Sequence, residues 1–269
     1  MSDRLDEALT RLERAGFQWE RVSPIGGGLG NRLWRLSGSG DWVLRLHNPN
    51  LAFCVDREQE SRIWQAASAI DRAPELRFWD PQFSLADYGG VVPDTVPQAS
   101  LLALMLELHQ IGGGWQPIDP AQRILDYLRP DSDKLQRYLP HLPEWMESLQ
   151  QSRLPSGLIH GDLHPGNLLI GPDGRWRAID FEYAGTGSPL MDLAPWLVDA
   201  PDEPGLWQAY LDARGVEAND TEWQAMRAAV VLYLLMSAAW ADQMAHSQKD
   251  PIYSQWRTHY FEQIGVWMP

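Results

Sequence analysis

Cysteine is almost absent. Cys54 stands alone in 269 residues, so no disulfide can form within the chain, and a reducing, cytoplasmic setting is expected. Basic residues are few: 22 Lys and Arg face 36 Asp and Glu, a formal net charge of −14. A phosphate backbone demands clustered Lys and Arg, so a nucleic-acid partner is not expected, and the acidic balance suits a cationic ligand better than an anionic one. Long apolar runs are also missing. The longest, Ala228–Ala241, spans 14 residues, short of the roughly 18 or more that a membrane span needs, so it is expected to be a buried helix and no membrane partner is expected. The opening Met-Ser-Asp-Arg-Leu-Asp-Glu has no apolar leader core and is expected to start an amphipathic helix through about Ala15. Repeats and low-complexity segments are lacking, and the length allows a core that needs no staples.

What is present concentrates in residues 158–192. Leu-Ile-His-Gly-Asp-Leu-His-Pro-Gly-Asn-Leu-Leu-Ile is followed by Gly-Pro-Asp-Gly and Ala-Ile-Asp-Phe-Glu-Tyr. Transfer of a phosphoryl group to a hydroxyl needs a carboxylate to orient the attacking oxygen and oxygen ligands to hold Mg²⁺ against the nucleotide phosphates. Asp162, Asn167 and Asp180 offer these groups. Leu168–Ile170 and Arg175–Ile179 flank Gly171-Pro172-Asp173-Gly174 and read as a β-hairpin. Pairing about that turn sets Asn167 opposite Ala178 and puts Asp180 on a diagonal, about 7–8 Å away between backbones. Pro165-Gly166 turns the chain, so Asp162 is expected to face the same space. His160, Asp162 and His164 as zinc ligands of a hydrolase are the competing reading, but the other His residues form no further metal-ligand spacing.

Upstream, Val22–Ile25, the Gly-rich loop Gly26-Gly27-Gly28-Leu29-Gly30, Asn31–Leu36, a Ser-Gly-Ser-Gly turn and Trp42–His47 read as strand, loop, strand, turn, strand. Glycines let backbone amides approach phosphates closely. The loop lacks the Gly-Lys-Ser/Thr ending and following helix of a P-loop, and the helix of a dinucleotide fingerprint is missing as well. A cation, Arg45, sits on the third strand, and Asp56–Ile70 reads as the next helix.

His160-Gly161-Asp162-Leu163-His164-Pro165-Gly166-Asn167, Ile179-Asp180-Phe181-Glu182-Tyr183 and Asp192-Leu193-Ala194 together resemble the aminoglycoside phosphotransferase and choline kinase superfamily, relatives of the protein kinases. The resemblance implies an α+β, protein-kinase-like fold of two lobes. A small β-rich N-lobe is expected over residues 1–88 and a helical C-lobe carrying catalytic loop and substrate pocket over 89–269. It implies an ATP- and Mg²⁺-dependent kinase with Asp162 as catalytic base, Asn167 and Asp180 as metal ligands and Asp192 as a brace under the loop. His164 either contacts the transferred phosphate or hydrogen-bonds the loop. Gly26, Gly27, Gly28, Gly30 and Asn31 become nucleotide-loop residues, and Arg45 stands where protein kinases carry Lys, with its planar fork suited to phosphate oxygens. The family's Asn-Arg-x-x-Glu selects Glu60 as its acidic partner, with Glu58 as the alternative. Asp87 and Tyr88 fall in the linker where the family's adenine meets backbone.

The alcohol is less sharply marked. Fourteen Trp and eight Tyr make an aromatic wall expected, and aromatic faces attract quaternary ammonium and thiazolium cations. Tyr183 and Trp240 resemble aromatic positions that contact choline in choline kinases, Glu182 is a candidate for the compensating charge, and Tyr233 and Trp196 are further candidates. Asp180-Phe181-Glu182-Tyr183-Ala184-Gly185 also resembles bacterial thiamine kinases. The expected substrate is a small cationic alcohol, thiamine slightly ahead of choline or ethanolamine. An aminoglycoside or sugar phosphotransferase is the alternative, and a non-catalytic nucleotide-binding scaffold is the reading from another class.

Overall fold

A computed structural model describes residues Ser2–Gly26, Gly30–Ala200 and Gly205–Met268. Gly27 and Gly28, named above for the nucleotide loop, lie outside the described residues. In chain order the elements are α1 (Ser2–Arg14), β1 (Arg21–Ile25), β2 (Arg32–Ser37), β3 (Asp41–Leu46), α2 (Arg57–Ala69), β4 (Leu76–Asp80), β5 (Phe83–Asp87), α3 (Gln98–Leu108), α4 (Pro120–Tyr127), α5 (Asp133–Gln136), α6 (Leu142–Gln150), β6 (Gly157–Ile159), β7 (Leu168–Ile170), β8 (Trp176–Ala178), β9 (Gly185–Gly187), α7 (Leu190–Leu197), α8 (Gly205–Ala213), α9 (Asp220–Gln248) and α10 (Pro251–Trp267). They form two compact units, one of residues 1–104 with 165–184 and the other of residues 105–164 with 185–269.

In the first unit an antiparallel sheet of order β1-β2-β3-β5-β4 carries α1 on one face. Side chains alternate along a strand, so Trp42, Leu44 and Leu46 of β3 join Leu36, Phe83 and Leu85 under Ala8 and Leu12 of α1. The Arg11–Asp80 ion pair at 2.5 Å is partly exposed and screened by solvent, so the apolar contact carries the packing. The same alternation sends Arg45 to the opposite face, where α2 lies.

The β7–β8 hairpin belongs to this unit, tied to it by the bridge between Val91 and Ile170 and by the Ala178 amide bonding Arg72 O at 2.8 Å. Its register corrects the sequence reading by one residue. Leu168 pairs with Ala178, and the Ile179 amide donates to Asn167 O at 3.0 Å. The cause is the turn: the Gly171 amide bonds Arg175 O at 2.9 Å, leaving a three-residue loop that closes on Gly174 at φ 75. Three-residue hairpin loops with a left-handed glycine are a common solution, and here they shift the pairing assumed for a four-residue turn.

The second unit is helical. Its centre is α9, against which α10, α6, α4 and α7 pack. The apolar run Ala228–Ala241 sits inside this 29-residue helix, which is long and apolar enough by composition to cross a membrane, yet 78% of its apolar window is buried in protein. Two-stranded β6–β9 completes the unit and leads directly into His160-Gly161-Asp162.

Candidate active site

The polar centre of the first unit is built around Arg45. Asp56 caps α2 by accepting from the Glu58 and Gln59 amides, each at 3.0 Å, which fixes the helix phase. Glu60 is thereby turned inward and Glu58 outward, so Glu60 is the partner of Arg45, at 2.5 Å. The other arm of the guanidinium donates to Asp180 Oδ1 at 2.6 Å and to Glu182 Oε2 at 2.7 Å. Arg57 joins the cluster through Glu60 Oε2 at 2.7 Å and Glu182 Oε2 at 2.9 Å. Burial works against the charge on Glu60, but Arg45 and Arg57 hold its carboxyl below the usual range. Asp180 goes the other way: burial and then the charges of Glu182 and Glu60 outweigh Arg45 and push it up to about 7.

Asp180 is held in left-handed backbone geometry, φ 68 and ψ 59. For a residue with a Cβ this costs roughly 1–3 kcal/mol and persists only where its surroundings over-determine it. Phe181, buried in the following 3₁₀ turn, and Glu182 in its ion pairs supply that constraint. Glu182 therefore sits among the nucleotide-side candidates, with its charge already shared by two guanidinium groups.

Of the loop residues, Gly26 borders open space and Gly30 would meet only Leu51 through an added Cβ. Asn31 is buried, donates to Glu182 Oε2 at 3.0 Å and accepts from the Asn48 amide at 3.0 Å. In the linker candidates, the Asp87 amide bonds Glu75 O and the Tyr88 amide bonds Asp41 O, both at 2.9 Å, so both donors are occupied by the sheet. The Tyr88 ring lies under Arg35, 3.8 Å from guanidinium carbon to centroid.

In the second unit Asp162 follows a turn whose backbone is gripped from below. Gly161 takes φ 79, a conformation that suits glycine, and this aims successive amides at one acceptor. The His160 amide donates to Asp192 Oδ2 at 2.7 Å and the Gly161 amide to Oδ1 at 2.8 Å. His109 Nε2 adds a third contact to Asp192 at 3.0 Å, while its Nδ1 meets Tyr210 Oη at 2.7 Å. Asp192 is fully buried; burial opposes its charge, yet the His109 hydrogen bond holds its carboxyl below the usual range. His164 Nε2 lies 3.7 Å from Asp162 Oδ2. Burial, and then His160, push the His164 imidazole down to about 4, so near pH 7 it is neutral and this contact is not an ion pair.

Around Asp162 stand residues the sequence left faint or unnamed. The Tyr233 and Tyr260 phenols are raised, first by burial and next by the charge of Asp162, Tyr260 to about 12. Asp199 also acts on Tyr233. Tyr233, Ser237 and Trp240 recur at helical spacing on α9, and Trp256 and Tyr260 do so on α10. Trp240 stacks on Trp256 with centroids 6.4 Å apart and meets Tyr253 edge-on at 5.7 Å. The two helices thus share an aromatic seam. Its spacing was present in the sequence; the pairing of α9 with α10 was not.

The structure brings Arg45, Glu60, Asp180, Glu182 and Asn31 into one cluster and places Asn167 on the strand pairing beside Asp180. Oxygen atoms of Glu60, Asp180 and Glu182 lie within 4.8 Å of one another, an all-oxygen set that fits a hard cation. Glu60 and Glu182 are each engaged by both Arg45 and Arg57, whereas Asp180 takes one arm of Arg45 and its side chain remains 34% exposed. Tyr183 lies in the turn after Asp180 and Trp240 in the seam of the other unit.

A sheet with an Arg–Glu pair, a left-handed Asp after a short hairpin and a braced Asp loop in a helical unit define a kinase-like phosphotransferase. The sequence agrees: over residues 21–229 it matches the phosphotransferase enzyme family, and the chain belongs to it. A choline/ethanolamine kinase family protein from Mesorhizobium loti is similar in structure, with TM-score 0.74, 22% identity and 98% of this chain and 95% of that one covered. Choline kinase LicA from Streptococcus pneumoniae gives TM-score 0.76 at 12% identity, covering 97% and 99%. The GDP and kanamycin complex of the phosphotransferase APH(2")-IIia gives 0.66 at 18% identity, covering 94% of each chain. These likenesses establish the α+β, protein-kinase-like fold. Among curated proteins nothing matches.

Proposed function

We propose that this protein transfers the γ-phosphoryl group of Mg·ATP to the hydroxyl of a small cationic alcohol. The observation that carries the substrate class is the company of Asp162: Tyr233, Tyr260 and the seam running on to Trp240 and Trp256, with Asp199 adding negative charge. Aromatic faces bind ammonium and thiazolium cations, and a carboxylate compensates their charge. Similarity to choline and ethanolamine kinases supports the same class. The preference for thiamine gains no support from these relatives, so choline or ethanolamine moves ahead of it.

In this reading Asp162 orients the hydroxyl and accepts its proton as the oxygen attacks the γ-phosphorus and the bond to the β–γ bridging oxygen breaks. Asp192 holds the loop that presents Asp162 by capturing its two amides. Arg45, oriented by Glu60, takes phosphate oxygens of the nucleotide, and Gly26 and Gly30 let backbone come close to them. Asp180 and Asn167 would hold Mg²⁺, which offsets the charge of the phosphates when bound. His164, neutral near pH 7, adds no charge beside Asp162.

The test offers purified protein ATP with choline, ethanolamine, thiamine and kanamycin in parallel and reads ADP release. Turnover is expected with a small quaternary or primary ammonium alcohol. Turnover with kanamycin alone would move the assignment to an aminoglycoside kinase, and none with any alcohol would favour a nucleotide-binding scaffold.

A further inference from the structure

Glu182 entered as a candidate for the substrate's charge, and the structure turns it away from that role. One of its oxygens, Oε2, accepts from Arg45 at 2.7 Å, Arg57 at 2.9 Å and Asn31 at 3.0 Å. Arg57 opens α2, and a cation at a helix N-terminus is disfavoured by the helix dipole. It is retained there against two carboxylates, Glu60 and Glu182, and Gln59 of the same turn donates to Ala184 O at 3.1 Å. The start of α2, the exit of the Gly-rich loop and the turn after Asp180 are thereby tied together.

We propose that Glu182 and Arg57 are opposed positioning residues that set how firmly Arg45 holds Asp180, and so how readily Asp180 takes a divalent cation. This rests on the kinase reading above. Arg45 Nη2 divides itself between Asp180 Oδ1 at 2.6 Å and Glu182 Oε2 at 2.7 Å. Removing Glu182 leaves that arm to Asp180 alone, in direct competition with the cation. Removing Arg57 leaves Glu182 to pull on Arg45 undivided and releases Asp180. The charges agree in sign: loss of Glu182 makes the cluster more positive, and loss of Arg57 makes it more negative.

The experiment measures ADP affinity of the full chain by calorimetry with Mg²⁺ and with EDTA; the ratio is the Mg²⁺ enhancement. Glu182→Ala is expected to reduce the enhancement about tenfold, consistent with one unit of nearby charge, with the EDTA value little changed. Glu182→Gln, nearly isosteric, is expected to fall between it and wild type and serves if the alanine variant does not fold. Arg57→Gln is expected to shift the enhancement in the opposite direction, which simple loss of structure does not produce. An unchanged enhancement in both Glu182 variants, or the same direction of shift in Arg57→Gln, would overturn the proposal. A rise in the alcohol KM with normal Mg²⁺ enhancement would overturn it in favour of substrate contact. Absence of any ADP binding by the wild type would bring down the kinase reading itself, which separates the two failures.

Discussion

The two units stabilise their carboxylates by different means. In the first, Glu60, Asp180 and Glu182 face two side-chain cations, Arg45 and Arg57, and each arginine is shared. In the second, Asp192 is met by two backbone amides and one imidazole, groups fixed by the fold itself. Ion pairs among long side chains can be exchanged for another charged partner at modest cost, whereas amides locked in a glycine turn cannot move without unfolding the turn. The first arrangement suits a place where phosphates and a cation come and go. The second suits a support that has to hold one geometry through every turnover.

The comparison can be broken most forcefully at Asp192. Asp192→Ala strands three donors, two of them buried, and is expected to cost about 3–5 kcal/mol in urea denaturation. A loss under 1 kcal/mol would mean the loop does not depend on this brace. Glu60→Ala should behave differently, because Arg45 keeps Asp180 and Glu182 as partners. The expected stability loss is about 1–2 kcal/mol, with nucleotide affinity falling roughly tenfold in calorimetry. Should the two variants show the same pattern, the distinction between exchangeable and fixed support fails.

A smaller effect concerns pH. His47 is buried in the first unit, and burial followed by the charge of Arg45 pushes its imidazole from 6.5 down to about 4. The unfolded chain then binds more protons than the folded one between those values. Stability is fully present above about pH 6.5 and is lost as the pH falls through that window toward 4, by up to about 3 kcal/mol. Thermal unfolding of His47→Gln compared with wild type from pH 7 to 4.5 checks this. The variant should show a shallower loss of Tm, and parallel curves would assign the acid sensitivity elsewhere.

Much of the candidate site was legible because it is local. Asp162, Asn167 and Asp180 lie within one stretch whose turn residues are recognisable, and the alternation of β3 is enough to put Arg45 across from Leu44 and Leu46. Glu60 over Glu58 depended on the helix phase, which the Asp56 cap sets. The hairpin register slipped by one because Gly174, rather than the whole Gly-Pro-Asp-Gly segment, closes the loop. Tyr260, His109 and Tyr210 gave no local signal, since their meaning comes from partners 83 to 101 residues away or from helices packing late in the chain. Glu182 carried the right residue type, but no pattern in the chain announces that two arginines claim it.

The claim on which all else depends is that Asp162 is the base of a phosphoryl transfer, and one pair of measurements on Asp162→Ala tests it. Single-turnover transfer to the best alcohol should fall by about 10²–10⁴ or more, while Mg·ATP affinity stays within about twofold of wild type. Turnover equal to wild type in this variant would contradict the account.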